Sequence, residues 1–333
     1  MTSKLDGECP FGFRIVGSCH EARRLVDADA AFVAYCNCDE RAEVNREAYL
    51  SAFRFGDDFR SHLDATGSTK NFNGVCWSLW LWFDIDREDD LDRALNDARK
   101  LAAFVAERYR LDDDDLLMFY SGAKGFHVGL PTSLWMPSPA VTFHATTRRL
   151  AEALAERAGV VIDVGVYDRV RAFRAPNSRH PKTGLHKRRL TFDELRGLSV
   201  DAIKRLAESP EAFDLPIRRG GPPVNEQATT DWREATESID RATTAKAERQ
   251  VAGMSPRLNR ATRDIIANVE PIAAGDRHRK LFSAAANLAE FGCSTELAFA
   301  LLSEAGLDSG LSPSDVRRVI ECGWKHNTGG PAQ

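Results

Sequence analysis

Two acidic residues at a short, regular spacing raise the first chemical question. The stretch Gly74-Val-Cys-Trp-Ser-Leu-Trp-Leu-Trp-Phe-Asp-Ile-Asp86 is an apolar run that ends in Asp84 and Asp86. Read as a strand, it places Trp80, Trp82, Asp84 and Asp86 on one face and Leu81, Phe83 and Ile85 on the other, because side chains alternate along an extended chain. The two carboxylates then point the same way. They repel each other, and keeping both ionised beside apolar surface is costly unless a cation lies between them, which suits a hard divalent metal such as Mg²⁺ or Mn²⁺. The plainer alternative is a strand end that runs into solvent with both acids exposed.

A second segment, Leu116-Leu-Met-Phe-Tyr-Ser-Gly-Ala-Lys-Gly-Phe-His-Val-Gly-Leu130, reads as strand, glycine turn, strand. The hairpin carries Ser121, Lys124 and His127 around Gly122 and Gly125, with Phe126, Val128 and Leu130 on one side and His127 on the other. Glycines let backbone N–H groups approach an anion, and a lysine and a histidine add charge and donors, so the turn could cradle a triphosphate. A histidine in a strand is equally at home as a buried structural residue. In a third segment, Val161 to Arg189, Asp163 closes another apolar strand. After Asp168 come Arg169, Arg171, Arg174, Arg179, Lys182, Lys187, Arg188 and Arg189 with no acid among them. That concentration fits a phosphate or polyanion partner, although a basic run can also be a solvated face. Ala172, Phe173, Ala175 and Pro176 are interleaved with the bases, which places some of them against the fold.

Taken together and in this order, the three motifs resemble the archaeo-eukaryotic primase superfamily, most closely the primase-polymerases of mobile elements and their eukaryotic relative. They are a strand ending Asp-x-Asp, then Ser-Gly-x-Lys-Gly-x-His, then Asp-x-Gly-Val-Tyr followed by Arg-x-x-Arg-x-Pro-Asn-Ser-x-His-x-Lys-Thr-Gly-Leu. The resemblance spans roughly Gly74 to Leu190. It implies an α+β catalytic core, with an RNA-recognition-like sheet unit beside a second α/β unit and the active site in the cleft between them. Residue by residue it implies that Asp84, Asp86 and Asp163 hold two divalent cations, Mg²⁺ or Mn²⁺, and carry catalysis. Asp168 competes for the third place, but Asp163 stands in the matching Asp-x-Gly-Val-Tyr context. His127, Arg171, Arg174 and His180 match nucleotide contacts, Ser121 and Lys124 fall in the phosphate turn, and Lys182 and Lys187 are candidate template contacts. The implied chemistry is two-metal phosphoryl transfer from a nucleoside triphosphate, with the arginine forks neutralising phosphate charge.

The composition suits an enzyme of this kind. The 333 residues, 43% of them hydrophobic, can bury a large core. With 45 Lys+Arg against 49 Asp+Glu, nucleic acid would be held by local patches rather than by overall charge. Asp112 to Asp115 reads as a solvated turn. No membrane-length apolar run and no signal-like N-terminus are seen, so a cytoplasmic protein is expected. The 7 cysteines are expected to be reduced. Cys9, Cys19, His20, Cys36 and Cys38 raise a structural zinc site, but their spacing matches no standard knuckle.

The motifs must be positioned by elements around them. Apolar spacing at Leu95, Ala98, Leu101, Ala102 and Val105 predicts a helix from Leu95 to Arg110, and a second is expected from Val141 to Ala158. Helical patterns are also read around Glu21 to Tyr35 and Arg46 to Leu63. The expected organisation is a catalytic domain over 1–215, a polar and partly helical linker over 216–255, broken by Arg218-Arg-Gly-Gly-Pro-Pro223, and a helical domain over 256–333. The core of that last domain would come from Leu281, Phe282, Ala285, Leu288, Ala289, Leu297, Phe299, Leu301, Leu302, Val316, Val319, Ile320 and Trp324. Gly292 and Gly306 would stop helices, and Ser312-Pro-Ser-Asp315 would start one. This unit resembles, more loosely, a primase C-terminal helical domain.

The function these readings imply is a template-directed nucleotidyltransferase that synthesises primers on single-stranded DNA and extends them. No Gly-x-x-x-x-Gly-Lys-Ser/Thr loop occurs, so a helicase would act in trans. Two alternatives stay open: an end-joining-type repair polymerase of the same superfamily, and a non-catalytic replication-initiator or nucleic-acid-binding module.

Overall fold

The alternating residues of the first motif lie in the longest strand pairing of the chain. The computed structural model describes residues 9–215, 223–251, 258–268, 272–273 and 275–328. It divides into two units, Met1–Thr243 and Thr244–Gln333. The first unit contains β1 (Phe11–Val16), β2 (Arg24–Asp27), α1 (Ala28–Cys36), β3 (Ala48–Ser51), β4 (Arg54–Phe55), α2 (Asp57–Thr66), β5 (Cys76–Trp77), β6 (Trp80–Asp86) and α3 (Leu91–Tyr109). It continues through β7 (Leu117–Tyr120), β8 (Gly125–Pro131), α4 (Phe143–Ala158), β9 (Ala172–Arg174), β10 (Arg188–Leu190), α5 (Phe192–Gly197), α6 (Val200–Leu206) and α7 (Glu226–Val251), which runs on past the unit boundary.

The strands form two antiparallel sheets, so the first unit is mixed α and β. One sheet has the order β5-β4-β1-β3-β9 with β2 also paired to β1; the other has the order β10-β7-β8-β6. In the second sheet every residue of β7 and β8 is buried. Helix α3 packs on β6 and β8 through Leu95, Ala98, Leu101, Ala102 and Val105, the apolar face expected from their spacing. Helix α4 starts at Phe143 and buries Leu150 and Leu154.

Several elements differ from expectation. Arg24–Asp27 pairs with Phe11–Arg14, and Ala48–Ser51 pairs with both β1 and β9, so the first halves of the two N-terminal helical patterns are strands. Short stretches of this kind fit either period, and the sheet partners decide. Val160 to Asp163 forms no strand; it leads into a single 3₁₀ turn, Val164–Tyr167, capped by Asp163, whose carboxylate accepts from Gly165 N–H. The acid run is also a 3₁₀ turn, but Asp115 is buried there rather than solvated, its carboxylate accepting from Asp112 N–H.

Helix α7 shows why the polar stretch after Leu215 is not simply a spacer. Its first half is docked by Asp231, only 4% exposed, whose carboxylate accepts from Arg108 Nε and Nη2 at 2.7 Å each and from Tyr109 Oη at 2.8 Å. Gln227 Nε2 at 3.1 Å and Arg157 Nη1 at 3.3 Å complete the set. Trp232 stacks on Trp135, with centroids 5.6 Å apart. Arg108, Tyr109, Arg157 and Trp135 lie far back in the chain, which is why composition did not reveal them. Arg218 to Pro222 and Pro256 lie outside the described residues.

The second unit is helical: α8 (Arg260–Ile266), α9 (Arg277–Glu290), α10 (Thr295–Asp308) and α11 (Pro313–Thr328). Its core contains Leu281, Ala285, Leu288, Leu302, Val316, Val319 and Ile320, while Leu297 points outward. Ser312 caps α11 as its sequence suggests, accepting from Asp315 N–H at 3.1 Å. Gly306 does not stop a helix. It lies inside α10, where a Cβ would come within 2.9 Å of Val316 Cγ2, so the glycine allows two helices to approach. The left-handed residue after α10 is Gly310, at φ 83°. Among the described residues, no helix is long and apolar enough to cross a membrane.

Removing Asp231 leaves Arg108 and Tyr109 without their acceptor. Asp231→Ala is therefore expected to cost ~2–3 kcal/mol in urea unfolding. A chain ending at Leu215 should unfold at lower temperature than one ending after Thr243, which keeps Asp231 and Trp232. Equal stability of the two truncated chains would show that α7 contributes nothing to the first unit.

Candidate active site

The site is built on the pairing of β6 with β8. Its register sets Asp84 opposite His127 and Asp86 opposite Gly125. The next strands continue the row, with Phe119 opposite His127 and Arg189 opposite Phe119. Directly opposed residues share a face, so Asp84, His127, Phe119 and Arg189 line one side of the sheet, the side opposite Ile85 and Phe126. Gly125 must lack a side chain: a Cβ there would fall 2.2 Å from Ile85 O and 2.4 Å from Asp86 Oδ1. The glycine of the turn thus admits the second carboxylate.

Asp163 reaches the same edge by a different route. Its N–H donates to Asp84 O at 2.8 Å, and its carboxylate accepts from Gly165 N–H at 2.8 Å. Gly165 lies between the Asp163 carboxylate and the Arg171 guanidinium. Asp163 is the acid whose charge most raises Asp84, whereas Asp168 is itself raised by burial, with the charges of Arg171 and Arg148 acting against that.

The turn and the basic loop meet beside these acids. Ala123 and Gly125 N–H groups donate to Ser121 Oγ at 3.4 and 3.2 Å, so the hydroxyl shapes the turn. Lys124 Nζ stands 3.2 Å from Asp86 Oδ2. Thr183 Oγ1 donates to Gly122 O at 2.6 Å and docks the loop that carries His180, whose Nδ1 accepts from Lys182 and Thr183 N–H groups at 3.3 Å each. Arg174 donates to Tyr49 Oη at 3.2 Å and lies 3.8 Å from Glu47 Oε1. Glu47 and Tyr49 had no signal in the sequence, because pairing of β3 with β9 alone brings them to Arg174.

Several residues of the basic segment prove to be internal, Lys187 and Asn177 among them. Lys187 is 1% exposed, so it has no surface with which to meet a template. Its ammonium lies 4.3 Å from the Phe173 ring centroid, 4.6 Å from that of Phe119 and 5.4 Å from that of Trp82, and it donates to Arg174 O at 2.8 Å. Aromatic faces and a carbonyl replace part of the water that burial removes. Asn177, in the Pro-Asn-Ser stretch, adopts a left-handed φ of 57° and donates to Tyr35 O, Cys36 O and Glu211 O. Its role is to brace the loop against the end of α1.

The electrostatics is that of a group short of a counter-ion. Burial, followed by the charge of Asp163, pushes Asp84 up to about 7. Burial and then Asp84 raise Asp86. Burial, with Lys187 next, holds His127 well below the ordinary histidine range, and burial brings Lys187 down to about 7. His127 Nε2 stands 3.4 Å from Asp84 Oδ1, yet that oxygen and His127 Nδ1 are both buried without a hydrogen-bond partner. Among the described residues, no three His, Cys, Asp or Glu side chains are spaced to hold a metal ion. The donor set still suits a hard cation: an orphaned buried carboxylate oxygen, a second acid two residues on, and a third tied to the same strand. The N-terminal cysteines offer a poorer one. Cys9 and Cys36 lie in the interior, and burial pushes the Cys36 thiol up to about 12, away from the thiolate that zinc requires.

No family model and no curated protein matches this sequence. Among solved structures, the crystal structure of primase RepB' aligns with 98% of this chain and 92% of its own, at 14% identity and a TM-score of 0.36. A likeness at that level carries no argument about function.

Asp84 links stability to pH. Its folded value near 7 lies above the unfolded value of about 4. Between the two, the folded chain holds a proton that the unfolded chain releases, so stability falls as pH rises from about 4 to 7, and the deficit persists above. At pH 8 without divalent cation, Asp84→Asn should therefore melt higher than wild type, by about 4 °C or more. The gap should close near pH 4. Identical melting at pH 8 would show that Asp84 bears no penalty from its surroundings.

Proposed function

We propose that this chain is a template-directed nucleotidyltransferase, a primase-polymerase that joins nucleotides from their triphosphates on single-stranded DNA. One observation carries the reading: the register that opposes Asp84 to His127 sets Asp84 and Asp86 along one strand of a rigid sheet, where Asp163 is tied to Asp84 O and Lys124 reaches Asp86, with the charge of Arg171 felt at Asp84 and that of Arg174 at His127. A module that only bound nucleic acid would gain nothing from burying Asp84 beside a second and third acid, and would lose stability by it. The order of the three sequence motifs supports the same reading.

In this proposal Asp84, Asp86 and Asp163 hold Mg²⁺ or Mn²⁺. Bound there, the cations would lower the pKa of the attacking 3′-hydroxyl and neutralise the departing pyrophosphate. The chain's own residues do the rest. Lys124, Arg171 and Arg174 receive triphosphate charge, with Arg174 exchanging Glu47 for phosphate oxygens as a nucleotide arrives. His127, held neutral by burial, keeps Nδ1 without a protein partner beside Asp84, where its hydrogen-bonding capacity is left for a group that enters the site. Ser121 and Gly125 keep the turn in shape, and His180 sits in the loop docked over it. Single-stranded DNA and nucleoside triphosphates are the partners, with a helicase supplied in trans.

The test is incubation with unprimed single-stranded DNA, ribo- or deoxynucleotides, and Mg²⁺ or Mn²⁺, scoring new oligonucleotides. Asp84→Asn, Asp86→Asn and Asp163→Asn should each lower turnover at saturating nucleotide by about 100-fold or more. His127→Ala and Arg174→Ala should chiefly raise the nucleotide concentration required. Near wild-type synthesis by Asp84→Asn or Asp86→Asn would refute the proposal, and an inactive Asp168→Asn beside an active Asp163→Asn would move the third ligand.

A further inference from the structure

We propose that Arg87 is a positioning residue that holds the segment of Asp163 against Asp84 and Asp86, and so limits the movement by which the three acids close on a divalent cation. The inference rests on the reading of these acids as the metal-binding set. Arg87 follows Asp86 directly and belongs to none of the three motifs. Its Nη1 donates to Asp86 O at 2.7 Å. Its Nη2 donates to Asp97 Oδ2 at 2.5 Å and to Val161 O at 3.0 Å. One guanidinium thus ties together the end of β6, the body of α3 and the segment that delivers Asp163.

That segment needs a tie. Val160 to Asp163 belongs to no strand or helix, and Val161 is 70% exposed, so its side chain does not anchor it. The Asp163 N–H bond to Asp84 O holds one point, and the Arg87 bond to Val161 O holds a second, two residues earlier. Two points fix the direction of the segment as well as its position. Repulsion works against them, since the charge of Asp163 is felt at Asp84. The clamp is itself braced, because Asp97 is buried in α3 and its carboxylate locks the guanidinium plane. A lysine at this place would keep the charge but could not reach three acceptors with a planar fork. These bonds of the Arg87 guanidinium all go to protein oxygens, so its influence on a bound cation passes through Asp163.

The full chain should be titrated with Mn²⁺ in the absence of nucleotide, with free Mn²⁺ read by its electron paramagnetic resonance signal. Arg87→Lys and Asp97→Asn are each expected to weaken Mn²⁺ binding by about tenfold or more. In primer extension, the Mn²⁺ concentration for half-maximal rate should rise by a similar factor, while the maximal rate at saturating Mn²⁺ largely recovers. A purely structural role would lower the melting temperature and leave Mn²⁺ affinity unchanged, and that result overturns the inference. Asp84→Asn serves as the reference. If it abolishes Mn²⁺ binding while both clamp variants bind as wild type, Arg87 has no positioning role and the site reading stands. If Asp84→Asn binds Mn²⁺ as well as wild type, the site reading falls and the role of Arg87 with it.

Discussion

The antiparallel pairing of β6 with β8 is the interaction on which the rest of the site depends. Strand pairing has a period of two, so a slip by one residue would turn Asp84 and His127 to the opposite face and bring Ile85 and Phe126 into their place. The register is secured by burial on both sides. Every residue of β8 is buried, and α3 closes the face opposite Asp84. The carboxylates are therefore held where they are by apolar burial, which outweighs the electrostatic cost of crowding acids.

That cost is met locally in an uneven way. Asp84 and Asp86 share an edge with Lys124, which reaches Asp86 from the turn, while Lys187 stays beneath, enclosed by Phe119, Phe173 and Trp82. Phe173 also packs against His127, with ring centroids 4.4 Å apart and planes tilted by 35°. Strand β9 therefore does two things at once: Phe173 faces the second sheet, and Arg174, its neighbour, pairs with Tyr49 across β3. Asp84 and Asp86 are raised and His127 and Lys187 lowered, chiefly by burial, and shifts of this kind collect at functional sites.

The chain brings distant segments to this edge by a few specific bonds rather than by extended secondary structure. Asp163 arrives on an irregular segment tied at Asp84 O and at Arg87, and the loop of His180 arrives through Thr183 on Gly122. Asn177 braces that loop from behind. Irregular segments held by a few bonds suit residues that must meet a substrate, while the sheet beneath supplies rigidity.

Much of this was legible in the sequence because it is local. Period-two alternation placed Asp84 and Asp86 on one face, the glycine turn placed His127 opposite the apolar residues of β8, and the apolar spacing of α3 marked its buried side. The capping serine of α11 was equally readable, since a cap involves neighbours in the chain. What the sequence could not show is every feature decided by a partner far away along it. Short N-terminal stretches became strands because β1 and β9 lie beside them, and the polar helix α7 docks because Arg108 and Tyr109 meet Asp231. Gly306 is needed inside a helix because Val316 presses on it. Lys187 has the composition of a surface base and is buried under three aromatic rings that no linear pattern brings together. Local hydrogen bonding and periodicity are properties of consecutive residues and can be read from them; burial and counter-charge are properties of the space around a residue, which only the folded chain defines.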